Sequence, residues 1–487
     1  HALARHVRAW LADEQTHLDA ASGLLVDTYD TTTPWSTRDT AADIYPFYTW
    51  SAYYLAPEVF EATAARALRF ERENTVSAAT GSIPYSYDTR TRMRLDRGFD
   101  DLFFGSAEYV KDGLTPIFEA VGRGEWSSRA AEIERDAFEL GRWNAAEGRL
   151  PLDNLEVSGD HMQSLPRLYA LTRDPRYLAY AERLAEHYFA NGPYQPQNLR
   201  DHSCEIIGGF ALLYAIERQE GRPQAARYAP WLRAMIDYVA TYGLTPEGMM
   251  HNVVHAGVAG PVAAARGTLS DNWGQNYVAF LIYAAATGEA RYADMVDRAL
   301  RSLGDPQFHD YPWEGDNIDG LADAMEGATY MLAYRPVAEG QRWLDAEAPL
   351  LDARSWPPNK FGANAARTAW LYVRTKTRGT WVQPWRDDLA WGAAQSGCGL
   401  TVSLRAARDW TGTLRFDTPR YRDTLGFSED LPRMNYLPAY FTVDAAARYR
   451  VTQGARSEVR SGAELAAGLP LTLAAGQELV VTVTPAP

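Results

Sequence analysis

Along most of the first 377 residues, apolar positions recur at three- and four-residue spacing, the period of one face of an α-helix. In the stretch 176–189, Tyr177, Leu178, Ala181, Leu184, Ala185 and Tyr188 fall on one face, and Arg176, Glu182, Arg183 and Glu186 on the other. The same pattern predicts amphipathic helices over 2–27, 57–73, 127–143, 176–190, 224–242, 290–303 and 339–352. Between them lie helical segments with few charges, at 41–55, 102–120, 161–172, 204–217, 272–286, 321–334 and 364–376. A helix that is apolar nearly all round must be covered on every side, whereas an amphipathic one needs cover on one. Strict alternation of the two kinds predicts a double ring, with buried inner helices inside half-exposed outer ones. A faint repeat agrees: "LTRDPRYLAYAER" at 171–183 resembles "ATGEARYADMVDR" at 286–298, and each turns from a buried helix into an amphipathic one.

The pattern changes near residue 378. "LTVSLRA", "GTLRFDT", "YFTV", "YRVTQG", "LPLTLAAG" and "ELVVTVTP" alternate or are β-branched, with turn residues between them. The expected organisation is therefore mostly α: a helical toroid over 1–377, then a small antiparallel β-sandwich over 378–487.

Charge narrows the partners. The chain has 487 residues, with 48 Lys and Arg against 62 Asp and Glu, a formal charge of −14. Nucleic acid and anionic membranes call for a basic face, so neither is an expected partner. No run of eighteen apolar residues predicts a bilayer span. Cys204 and Cys398 are too few for a disulfide framework or a thiolate zinc site. The sequence opens on His1 and shows no signal-peptide pattern, which leaves the compartment open. The 15 Trp, 28 Tyr and 16 Phe serve either core packing or a carbohydrate cleft, where sugar C–H faces stack on aromatic rings.

In a double ring, the connections entering the inner helices converge on one end of the central cavity. Here they are long and carry the polar residues: Trp35, Arg38, Asp39 and Asp43; Arg92, Arg94, Asp96 and Arg97; Asp153, Asn154, Glu156, Asp160 and His161; Arg200, Asp201, His202 and Glu205; His251, His255, Asp271, Asn272, Trp273 and Tyr277; His309, Trp313, Glu314, Asp319, Asp323 and Glu326; Trp356, Lys360 and Asn364. Asp160, Asp201, Asp271 and Asp319 stand where helix N-caps stand, and capping is the plain reading of each. Capping does not explain the His, Trp and Arg beside them. His251 and His255 lack the Glu of a zinc-binding HExxH pattern, and no metal or other cofactor is expected. Arg92, Arg94 and Arg97 form either an exposed charge run or a group that grips a carboxylate.

Acids in a confined cavity suit glycosidic cleavage, which needs a protonated carboxylic acid and a carboxylate. Crowding raises one carboxyl by like-charge repulsion and supplies the proton donor. Inward arginines would point to a uronic acid, and a uronate also permits β-elimination.

The architecture resembles the (α/α)-toroid glycoside hydrolases and polysaccharide lyases, with a C-terminal β-sandwich following an (α/α)6 or (α/α)7 ring. Seven helix pairs are read here, where the commonest toroid has six. The strings "LPLDNLEVSGDHMQSLPRLYALT", "LRDHSCEIIGG", "TLSDNWGQNYVAFL" and "YPWEGDNIDGLADAMEGA" resemble those of bacterial exo-acting, β-glucuronidase-like enzymes of uronic-acid glycans.

The resulting expectation is an exo-acting glycoside hydrolase on a uronate-containing oligo- or polysaccharide. Asp153, Asp271 and Glu314 are the candidate acids and bases, with His202 in the catalytic group. Arg94, Asp160, His161, Arg200, Asp201, Trp273, Tyr277, Trp313 and Asp319 are the candidate sugar-binding residues. The alternative is a lyase transferring protons through His161, His202 or Tyr277. A sugar epimerase or isomerase with paired histidines and a non-enzymatic glycan-binding protein are further alternatives.

Overall fold

The computed structural model describes residues 1–192, 194–258 and 260–487. Among these, seven inner helices form a closed ring: 39–55, 99–121, Leu155–Thr172, Cys204–Gln219, Trp273–Thr287, Ile318–Tyr334 and Lys360–Thr377. Each packs on the next, and the last packs on the first. Seven outer helices surround them: Ala2–Glu14, 57–74, Glu125–Leu140, Pro175–Phe189, Pro223–Tyr242, Ala290–Ser302 and Ala338–Ala353. The ring is thus an (α/α)7 toroid.

The burial follows the sequence pattern. Every residue from Trp273 to Tyr283 of an inner helix is buried, while the outer helix Ala290–Ser302 buries Tyr292, Val296, Asp297, Ala299 and Leu300 along one face. No helix among the described residues is long and apolar enough to cross a membrane. The repeated turn has a local cause. Arg173 and Gly288 end their helices in left-handed backbone, and the amides of Asp174 and Glu289 donate to the hydroxyls of Thr172 and Thr287.

Several inner helices begin three to six residues before the position the apolar pattern marks. Asn154, Asn317 and Asn359 are their N-caps, accepting from the amides of Val157, Gly320 and Phe361. The capping expectation for Asp160 and Asp319 is therefore overturned. Both lie inside their helices, and neither caps an end.

Beyond residue 377 two antiparallel sheets face each other. One carries Arg456–Ser461, Arg448–Gln453, Glu478–Ala486, Gly399–Ala406 and Leu389–Ser396, in that order. The other carries Leu469–Leu473, Trp410–Arg415 and Trp381–Gln383. The stretch 440–443 is not a strand. It makes a single parallel bridge, between Thr442 and Asp417, inside a long irregular segment over 426–447. That segment turns back into the toroid, where Arg433 pairs with Glu119 and Arg167 donates to the Met434 carbonyl.

Candidate active site

The two halves of one end of the ring are built differently. From Cys204 onward, the entering loops and first helical turns bring Asp201, His202, Glu205, Asp271, Asn272, Glu314, Asp319, Asp323, Lys360, Asn364 and Arg367 to a common cavity of about 340 Å³. On the other side, π-helical turns at Asp39–Ile44 and Tyr109–Leu114 pack against each other and supply Asp43, Lys111 and Asp112. A π turn holds one residue more than an α turn and redirects the side chains around it. Gly113 allows this contact, because a Cβ there would collide with the Ala41 carbonyl. Met434 and Asn435, from the irregular segment, complete the lining. Tyr29, 68% exposed, stands with Phe361 among the lining residues, their rings edge to face at 5.5 Å.

The cavity is acidic. Eight of its lining residues are Asp or Glu, and three are Lys or Arg. Each of those three cations is already engaged. Lys111 Nζ lies 2.5 Å from Glu205 and 2.7 Å from Asp112, Lys360 Nζ donates to Asp39 at 2.7 Å, and Arg367 pairs with Asp323 and Glu326. Asp323 belongs to a closed loop of bonds. Asn272 Nδ2 donates to Asp323 Oδ2 (3.1 Å) and Gln275 Oε1 (2.8 Å), and Gln275 Nε2 donates to Glu326 Oε2 (2.8 Å). Arg367 joins Glu326 back to Asp323. The loop fixes the Asp323 carboxylate in its ion pair with Arg367.

That charge acts on its neighbours. Burial, then repulsion from Asp323 and Glu314, pushes the Asp271 carboxyl up to about 8. Burial and Asp323 push Asp319 up to about 8 as well, against the amide that Asn364 donates at 2.8 Å. Burial raises Asp43 to about 8, opposed by Lys360. Glu314, on a turn with φ +48°, is raised by burial and accepts from Asn317 Nδ2 at 2.7 Å. The cavity thus places protonated carboxyls beside an ion-paired carboxylate.

Of the residues proposed from sequence, His202, Asp201, Asp271, Glu314 and Asp319 are brought together here. The others lie elsewhere. Asp153 is exposed ahead of Leu155–Thr172, outside the cavity lining, close enough to act on Tyr188. Arg94 donates to the Val76 carbonyl on an exposed hairpin, where Arg92 pairs with Asp19 at 2.6 Å and Arg97 bonds Thr33. These arginines are committed to loop structure. Arg200 is exposed and outside the lining.

Asp160 is fully buried beneath the cavity near Glu205 and Lys111. His161 faces outward, with its Nδ1 2.7 Å from Glu134 Oε2 and its ring on Phe138. Trp273 and Trp313 are core residues, the latter packed on Tyr311 and Trp343. Tyr277 is buried and donates to the Gly248 carbonyl at 2.5 Å. Helix periodicity accounts for His161 and Tyr277, which fall on the sides of their inner helices turned toward Glu134 and Gly248, while Trp313 lies on a short turn ahead of its helix. Sequence reading missed Lys111, Asp112, Gln275, Arg367 and Asn435. Lys111, Asp112 and Arg367 sit well inside segments whose apolar pattern marks them as core helix.

Among the described residues, one group can hold a cation. Single ligand atoms of Glu108, Glu156 and His202 lie within 4.8 Å of one another. Arg38 already neutralises Glu108 at 3.1 Å, and the two glutamates pull the His202 imidazole up to about 9 against its burial. The arrangement stands complete as an ion-pair network.

No protein-family model matches this sequence, and no curated protein matches it. Several solved structures overlap the chain partially. An inactive variant of the alpha-1,6-mannanase GH76A of Salegentibacter sp. HEL1_6, in complex with alpha-1,6-mannotetrose, is 12% identical over 75% of this chain and 97% of its own, with a TM-score of 0.43. A GH127 beta-L-arabinofuranosidase from Geobacillus stearothermophilus T6 is 9% identical over 99% of this chain and 75% of its own, at 0.39. Cellobiose 2-epimerase from Spirochaeta thermophila is 17% identical over 64% and 87%, at 0.41.

Proposed function

We propose that the chain is an exo-acting glycoside hydrolase that takes one end of a neutral oligosaccharide into this cavity. The observation that carries the reading is the opposed state of Asp271 and Asp323. Asp271 keeps its proton near neutral pH, and Asp323 is ion-paired with Arg367. Glycosidic cleavage needs that division of labour between two carboxyl groups. Asp271 is the proton donor to the leaving oxygen, and Asp323 is the carboxylate that acts on the anomeric side. Asp323 and Glu314 keep the donor protonated, and Glu314 and Asp319 meet sugar hydroxyls. Tyr29 and Phe361 offer ring faces for the sugar beyond the cleavage point.

A neutral sugar fits better than a uronate. The acids outnumber the cations in the lining, every lining Lys and Arg already pairs with a carboxylate, and the arginines that pointed to a uronate lie elsewhere. The elimination route loses His161 and Tyr277 to the protein interior. His202 is the one histidine among the described lining residues, so a paired-histidine isomerase reading lacks its second member.

The test is a panel of manno-, arabino-, gluco-, xylo- and glucurono-oligosaccharides labelled at the reducing end. The expected result is monosaccharide release without an ultraviolet-absorbing unsaturated product. D271N is expected to lose roughly 10²–10⁴-fold in kcat/KM. Full activity of both D271N and D323N on the cleaved substrate would overturn the assignment, and preference for the glucuronide would overturn the neutral-sugar part alone.

A further inference from the structure

The segment 426–447 lies between two strands of the sandwich, yet its middle belongs to the ring. Arg433 pairs with Glu119 at 3.1 Å, and the Met434 carbonyl accepts from Arg167 at 2.9 Å. The Met434 sulfur accepts from Gln163 at 3.4 Å, and Tyr436 bonds Tyr334 at 2.8 Å while its ring lies on Tyr330. These partners stand on 99–121, Leu155–Thr172 and Ile318–Tyr334. A segment that touches helices on several sides of a ring lies in its bore. It therefore closes the cavity from below, and Met434 and Asn435 are the part of it that the cavity sees.

Asn435 is 5% exposed and holds φ at +50°, a left-handed conformation that side chains other than Asn and Asp seldom adopt. Its Nδ2 donates to Asp112 Oδ1, which orients the carboxamide. Among the described residues, no donor meets its Oδ1. A lining acceptor with no protein donor is matched by a hydroxyl group of a ligand. We propose that Asn435 binds the innermost sugar of the substrate, its Oδ1 accepting from a hydroxyl of the terminal residue, with the Met434 side chain against that sugar's C–H surface. The sandwich domain then supplies part of the substrate-binding site. This inference rests on the hydrolase reading of the cavity.

N435G tests it, because glycine keeps the backbone at φ +50° while removing the amide. The expected result is a KM about tenfold higher, the effect of one lost hydrogen bond near 1.4 kcal/mol. It should come with kcat within about twofold, weaker inhibition by the released monosaccharide, and an unchanged cooperative melt. Unchanged KM and unchanged product inhibition overturn the inference. If N435G fails to fold, N435S is read in the same way.

If the wild type cleaves nothing in the panel, the hydrolase reading fails, and saturation-transfer NMR with free mannose, arabinose, glucose and xylose decides this point separately. Contact in the wild type that is lost in N435G upholds the role of Asn435. Equal contact in both, or none in the wild type, overturns it.

Discussion

Asp271 illustrates what a single side chain contributes when its neighbours set its charge. Its raised carboxyl is protonated below about 8 and ionised above. As the proton donor, it should give kcat/KM a basic limb near pH 8, measured on whichever panel substrate is cleaved. Glu314 raises Asp271 by repulsion, so E314Q is expected to keep most activity and move that limb toward lower pH. A limb that stays in place in E314Q would mean that Glu314 does not act on Asp271. Asp271, Asp319 and Glu314 were legible in the sequence because acids in long loops before apolar helices stand out. Asn435 was not. One asparagine in a stretch between strands carries no signal until the chain path brings it under the ring.

At the level of elements, the alternation of amphipathic and all-apolar helices was readable because burial on one side or all sides leaves different periodic traces. The starts were misplaced because polar and small residues, such as Glu156, Ser158, Asp319, Gly320, Lys360 and Gly362, interrupt the apolar pattern in the first turns. The Asn caps mark the true starts. N359A is expected to cost about 1 kcal/mol in denaturant unfolding through loss of the bond to the Phe361 amide. The ring also depends on close backbone approach. A Cβ at Gly274 would strike the backbone of Gly327, which joins Trp273–Thr287 to Ile318–Tyr334. G274A should destabilise by roughly 1–3 kcal/mol, since overpacking pushes the two helices apart. A variant as stable as the wild type would show that the ring tolerates the added width. The π turns left no trace in the pattern, because Tyr109–Leu114 is buried all round and Asp39–Ile44 lies at a helix start, so neither has a polar face in which a phase shift would show.

Across the whole molecule, buried acids give stability a direction in pH. Glu14, Asp43, Asp271 and Asp319 are each raised to about 8, so the folded state binds their protons more tightly than the unfolded chain does. Stability from this source is lost as pH rises from about 4 toward 8. The carboxylates held low by Arg partners, such as Asp88 and Asp388 at about 2, act below that window and do not oppose it. The melting temperature should therefore be higher at pH 6 than at pH 9 by calorimetry, and a melting temperature that rises over that interval would contradict the burial of these acids. The path of 426–447 has a consequence in time. Synthesis runs from the first residue to the last, so a growing chain makes every acid of the cavity before it makes Asn435. Until the ribosome has passed that point, a finished set of helices remains an open tube without the floor that Met434 and Asn435 provide.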